Sequence, residues 1–218
     1  SFEFFPQLKL DAASGRAGNE YLQLGVGIVA IEDGRRFDAV PVKLFDWQRI
    51  FRVRDGTMEL LARQSYRTDC GYAYEMMVRV ALPNDSDTVR FEITLCNTGN
   101  RPIDTELYAH PFFNALNGFA DSWFTLPGRP ERESVREAAN SLEVSGMALP
   151  KAANMVSAGN LLGRGVTVDI RGIPDFNRVE FWKNADNCFA VEPLWTVSLQ
   201  PGEQKSWNCL LTVQTSPR

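Results

Sequence analysis

His110 is the only histidine of the chain and stands in Leu107-Tyr108-Ala109-His110-Pro111-Phe112-Phe113-Asn114, where a strand-like run enters a proline-containing loop. Side chains alternate between the two faces of an extended chain, so Tyr108, His110 and Phe112 share one face. An imidazole framed by aromatic rings can move a proton near neutral pH while the rings stack on the apolar face of a pyranose. The same segment also fits a partly buried histidine held by one hydrogen bond. Glu192 is the second candidate, because its carboxylate interrupts the apolar run Cys188-Phe189-Ala190-Val191-Glu192-Pro193-Leu194-Trp195. A carboxylate in such a strand has partners, faces a solvated cleft, or is kept neutral, and the last two states suit acid–base work. The alternative is an exposed glutamate at a strand end, with Pro193 marking the edge.

Other signatures are missing. Gly25-Val26-Gly27 lies in a strand-like run without the following helix and third glycine of a dinucleotide loop, so packing is its expected role. No G-x-S-x-G element is present, and no cysteine has a nucleophile's context. Asp and Glu pairs suit glycoside hydrolysis, but sequence spacing does not place two carboxylates across one bond. Cys70, Cys96, Cys188 and Cys209 are widely separated and have only His110 as an imidazole partner, which argues against zinc; the apolar strand-like settings of three of them suggest reduced core thiols, while the even count leaves disulfides open.

The composition, 44% hydrophobic and 23% charged over 218 residues, is that of a globular chain. A net charge of -4, with scattered Lys and Arg, leaves no electrostatic footprint for nucleic acid or anionic lipid. A neutral or weakly charged small molecule suits it better. No apolar run approaches the roughly 20 residues that cross a bilayer, and no signal peptide is visible, so the expected location is cytoplasmic. The oligomeric state is not legible.

The elements that must position these residues read as strands. Short β-branched and aromatic runs bounded by turn residues occur at Gln23–Ile31, Gln48–Arg54, Thr57–Ser65, Tyr72–Leu82, Thr88–Asn97, Ile103–Phe113, Val166–Ile170, Val179–Trp182, Cys188–Leu194 and Lys205–Gln214. In Thr88–Asn97 the residues Val89, Phe91, Ile93 and Leu95 alternate with polar ones, as in a sheet with one buried face. Asn97-Thr98-Gly99-Asn100 predicts an antiparallel hairpin between that strand and Ile103–Phe113, and Arg54-Asp55-Gly56-Thr57 a second turn of this kind. Glu131–Asn140 has helical character, and the Ala-, Ser-, Asn- and Gly-rich stretch from there to Gly165 reads as a loop. No linker or repeat divides the chain, which predicts a single all-β domain over residues 1–218.

Three groups of residues carry a family likeness. They are Tyr21-Leu22-Gln23-Leu24-Gly25-Val26-Gly27-Ile28-Val29 with the aromatic stretch through Phe45 and Trp47; Gly71-Tyr72-Ala73-Tyr74-Glu75, Asn97-Thr98-Gly99 and Glu106 to Asn114; and Phe181-Trp182, Val191-Glu192-Pro193 and Leu199-Gln200-Pro201-Gly202-Glu203. In order and spacing they resemble the galactose mutarotase-like superfamily, in particular its aldose 1-epimerase-like branch. The resemblance implies an antiparallel β-supersandwich with few short helices and a ligand cleft on one sheet. It implies His110 as general acid and Glu192 as general base, both pointing into one open cleft several ångströms apart, with no metal or organic cofactor. Asp175 in Ile173-Pro174-Asp175-Phe176 is the implied sugar-binding aspartate, and Tyr108 and Asn114, beside His110, are further sugar-binding candidates; Arg52, which with Arg49 flanks Phe51, reads either as a contact for a ligand hydroxyl or phosphate or as an exposed strand arginine. One departure stands out: mutarotases carry an earlier histidine, and this chain has none before His110. That motivates a second expectation, a non-catalytic module that binds a carbohydrate or sugar phosphate. An accessory domain of a glycan-processing hydrolase or lyase is a third.

Overall fold

The computed structural model describes residues 2–10, 18–32, 39–115, 119–126, 129–138, 142–145, 155–160, 164–171, 178–184 and 187–215. The first strands are β1 (Phe2–Phe4), β2 (Leu8–Lys9), β3 (Glu20–Gln23), β4 (Gly27–Ala30), β5 (Val40–Leu44), β6 (Gln48–Arg54) and β7 (Thr57–Arg67). There follow β8 (Ala73–Pro83), β9 (Thr88–Asn97), β10 (Ile103–Ala109), β11 (Phe112–Asn114), β12 (Ser122–Leu126) and β13 (Arg129–Ser134). The last are β14 (Leu142–Ser145), β15 (Met155–Asn160), β16 (Arg164–Arg171), β17 (Arg178–Lys183), β18 (Cys188–Leu199) and β19 (Gln204–Thr215).

They form an antiparallel nine-stranded sheet in the order β13-β12-β15-β16-β19-β9-β8-β7-β6, and a six-stranded sheet in the order β1-β10-β18-β17-β14 with β11 also on β18. A four-stranded sheet, β2-β3-β4-β5, completes the structure. The alternation of Thr88–Asn97 turns Ile93 and Leu95 inward, where they join Trp207 of β19 and Ile103, Leu107, Trp195 and Leu199 of the facing sheet in one buried cluster. A second cluster, with Phe124, Phe181, Phe189 and Val191, fills the space beside β12 and β17. The all-β, antiparallel architecture expected from the strand pattern is the one present.

Several local expectations are overturned. Thr88–Asn97 does not form a hairpin with the following strand: β9 pairs with β8 and β19, whereas β10 pairs with β1 and β18. The Asn97-Thr98-Gly99-Asn100 segment is a corner between sheets. Asn97, fully buried, donates through Nδ2 to the carbonyls of Arg101 and Leu199 and accepts from the Gly99 N–H. Gly99 lies so close to the 71–73 backbone that a Cβ would sit 2.5 Å from the Gly71 oxygen and 2.6 Å from the Ala73 nitrogen. The Asp55-Gly56 turn does close a hairpin, with both residues at positive φ, 49° and 69°.

Gln23–Ile31 is two strands, because Gly25 and Gly27 occupy the turn between β3 and β4. The described part of Glu131–Asn140, up to Ala138, is not a helix. Its first residues extend β13, which pairs with β12, and a single turn follows in which Ala138 N–H donates to the Ser134 carbonyl. Sheet pairing and the burial of Val135 outweigh the segment's modest helix propensity. The expected loop up to Gly165 contains β14, only four residues long, and β15, where Ser157, Ala158, Gly159 and Asn160 carry little hydrophobic signal; they pair into the two larger sheets.

Lys183 fastens the 135–138 turn. Its Nζ donates to the carbonyls of Val135, Arg136 and Ala138 at 3.1, 3.1 and 2.6 Å. Lys183→Met, which keeps the apolar stem and strips the three carbonyls of their donor, is expected to cost about 1–3 kcal/mol in urea unfolding.

Candidate active site

The site is built by strand register. Tyr108 lies opposite Leu194 and Phe112 opposite Ala190, so the break between β10 and β11 falls where His110 faces Glu192 across the ladder. Odd-numbered residues of β18 such as Val191, Trp195 and Val197 enter the core. Even-numbered ones point away from it, and on β10 so do Tyr108 and, beyond its end, His110. On the other flank of β18, Glu180 opposes Glu192 and Trp182 opposes Ala190. On the far side of β10, Glu3 opposes Tyr108. One sheet face thereby collects His110, Tyr108, Glu3, Glu192, Glu180, Trp182 and Phe112.

The histidine and glutamate are in contact. His110 Nε2 lies 2.9 Å from Glu192 Oε1, and His110 Nδ1 lies 3.4 Å from Glu3 Oε1. Glu192 is only 5% exposed. This differs from the expected pair held apart in an open cleft. The reason is that neighbouring strands are about 5 Å apart, so two long side chains opposite one another and of complementary charge close the gap. The exposed-glutamate alternative is also not what is seen, since Pro193 lies within β18 opposite Val179 on a central strand.

Electrostatics follow from that contact. Burial pulls the His110 imidazole down, but the Glu192 and Glu3 carboxylates outweigh it and push the group up to about 9. The ring is therefore an imidazolium at neutral pH. Tyr108 donates its hydroxyl to Glu3 Oε2 at 2.7 Å, and burial, with the nearby negative charge, drives its ionisation far above the ordinary range. The His110 ring stands 3.9 Å from Phe112 and 5.5 Å from Tyr108, with Trp182 edge-on at 6.2 Å. Phe112 is 55% exposed, which leaves an aromatic rim open to solvent beside the charged pair.

The other candidates are placed differently. Asn114 ends β11 opposite Cys188, exposed and on the Phe112 side of the strand. Arg52 is on β6, at the edge of the nine-stranded sheet, and donates to Glu59 at 2.6 Å. Glu59 also pairs with Arg79, and the Arg79 and Arg52 guanidinium groups hold its carboxyl below the ordinary range. Arg52 and the His110–Glu192 pair thus belong to different sheets. Asp175 lies outside the described residues.

Two hollows among the described residues lie apart from the pair. One, of about 520 Å³, is polar and lies on the nine-stranded sheet between Gln48, Arg63, Glu75, Thr94 and Gln204. The other, of about 240 Å³, is apolar and is bordered by Leu24, Trp47, Met76 and Phe91.

Glu3, Glu180 and Trp182 were not singled out from the sequence. Glu3 carried the signal that had marked Glu192, a carboxylate between apolar neighbours in Phe2-Glu3-Phe4, but over too short a run to read as a strand. None of the four cysteines is in a disulfide, and among the described residues no cluster of His, Cys, Asp and Glu could hold a metal ion. Nor, among those residues, is any helix long and apolar enough to cross a membrane.

No protein-family profile matches the chain, and no curated protein matches it in sequence. Solved structures do. Slr1438 from Synechocystis sp. PCC 6803 is 12% identical over 91% of this chain and 74% of its own, with a TM-score of 0.62. A galactose mutarotase-like protein from Clostridium acetobutylicum is 10% identical over 98% of this chain and 78% of its own, with a TM-score of 0.61. The GalM/aldose epimerase homologue from C. elegans is 14% identical over 77% and 68%, with a TM-score of 0.51. At these identities the likeness is one of architecture, and with the sheet order above it establishes that the chain has the galactose mutarotase-like β-sandwich fold.

Proposed function

We propose that this chain is an aldose 1-epimerase-like isomerase that interconverts the α and β anomers of an aldose, with Glu192 as base and His110 as acid. The observation that carries the reading is the register that sets an imidazolium directly opposite a carboxylate beside an aromatic rim. Mutarotation needs that pairing. Glu192 takes the proton of the anomeric hydroxyl as His110 delivers one to the ring oxygen; the C1–O5 bond breaks and C1=O1 forms. Rotation about C1–C2 and reclosure return both protons and give the other anomer. The two oxygens are bonded to the same carbon, so the acid and base must stand close together. A bound hemiacetal would take the place of the direct His110–Glu192 contact, and Phe112 and Trp182 would cover the apolar face of the ring.

The direct contact also supports a second reading. A pair that satisfies itself at 2.9 Å gives up its own interaction to admit a sugar, so a module that binds a carbohydrate at the aromatic rim without turnover is the alternative. One assay separates the two. Freshly dissolved α-aldoses, free and phosphorylated, are followed to equilibrium by polarimetry with and without the protein. The expected result is protein-dependent acceleration for at least one sugar. No acceleration across the panel, with a ligand-dependent rise in melting temperature, would establish the binding module instead.

A further inference from the structure

We propose that Glu3 is a positioning residue for His110: its carboxylate, shared between the Tyr108 hydroxyl and His110 Nδ1, fixes the imidazole so that Nε2 faces Glu192. The two oxygens of Glu3 divide the work. Oε2 accepts from Tyr108 at 2.7 Å, which holds the carboxylate in place, and Oε1 lies 3.4 Å from Nδ1. Tyr108 is itself 7% exposed and packed with Phe5 and Leu194, so the clamp rests on a buried side chain. Pairing of β1 with β10 sets Glu3 opposite Tyr108 and brings β1, remote in sequence from β18, into the site.

An imidazolium with a carboxylate beside each nitrogen, at 3.4 and 2.9 Å, is drawn to opposite charge on both sides. This is the arrangement by which the far nitrogen of a histidine is held while the near one reacts. The charged and titratable groups on this face are Glu3 from β1, Asp104, Glu106 and Tyr108 from β10, Glu192 from β18 and Glu180 from β17. Glu106 is the acceptor of Gln7 Nε2 at 3.1 Å, whereas Glu3 is the one that meets His110 together with Glu192. The consequence for catalysis rests on the isomerase reading; the effect on the imidazole does not.

Because the chain has a single histidine, its imidazole signals are unambiguous in NMR. In the wild-type protein at pH 8 both ring nitrogens are expected to be protonated, with a titration midpoint near 9. Glu3→Gln is expected to lower that midpoint by about one unit or more. Asp104→Asn, which removes a charge roughly 20 Å upstream along the same strand, should leave it within a few tenths. If the isomerase reading holds, Glu3→Gln also lowers kcat about tenfold with KM nearly unchanged.

A neutral imidazole at pH 8 in the wild-type protein overturns the proposal without any variant being made. So does a Glu3→Gln midpoint equal to that of wild type in a protein that keeps its far-UV spectrum. A shifted midpoint in a protein that accelerates no sugar leaves the role of Glu3 in place and removes the isomerase reading.

Discussion

Glu192→Gln is expected to lower protein-dependent anomer interconversion by roughly 10²- to 10⁴-fold, the range contributed by a positioned general base. The amide keeps the size and polarity of the side chain, so the pairing of β18 with β10 and β17 is preserved and the far-UV spectrum should be unchanged. What is lost is the acceptor for the hydroxyl proton. Also lost is one of the carboxylates that, against the effect of burial, push His110 up to about 9. The wild-type rate should therefore hold through neutral pH and decline as pH rises through about 9, where the acid that serves the ring oxygen disappears. Any residual rate of the variant should decline at lower pH.

Stability follows the same proton. The folded-state value of His110 lies above its ordinary 6.5, so the pairing stabilises fully below about 6.5 and is lost as pH climbs through about 9. The amount is of the order of 2 kcal/mol. Polarimetry and urea unfolding between pH 5 and 10 check both. A variant as fast as the wild-type protein would remove Glu192 from the chemistry.

Asn97→Ala should be strongly destabilising although it lies outside the site. The buried carboxamide serves the carbonyls of Arg101 and Leu199 and the N–H of Gly99, and alanine leaves all three without it. Each orphaned buried group costs about 1–3 kcal/mol, partly recovered by relaxation, so a loss of about 3 kcal/mol is expected. In a chain of this size that corresponds to a fall of roughly 6–12 °C in melting temperature. Gly99→Ala should act in the same direction, through collision with the backbone at Gly71 and Ala73. A change of under 2 °C for both would show that the corner between sheets does not depend on this packing.

The sequence was informative where a short-range rule decides the outcome. Period-two alternation located Thr88–Asn97, because burial of one face acts on every second residue, whereas Gln48–Arg54, exposed along its whole length, was legible from its β-branched and aromatic residues and the turn that follows it. The Asp55-Gly56 turn was legible for the same local reason. The corner at Asn97 was not. Its residues are those of a hairpin turn, and only contacts with Gly71, Leu199 and Glu203, remote in sequence, make it a passage between sheets. β14 was missed because four residues are too short a run to read as a strand, and β15 because its small and polar residues acquire strand character from their neighbours in the sheet.

For the site, residue type alone marked His110 and Glu192, since a lone imidazole among aromatic rings and a carboxylate in an apolar run are each costly to place without a use. Tertiary structure decided the rest. Register brought the two into contact, recruited Glu3 from the other end of the chain, and left Arg52 paired with Glu59 on a different sheet. Register is a relation between strands, fixed by how whole faces pack, and no spacing within one segment encodes it.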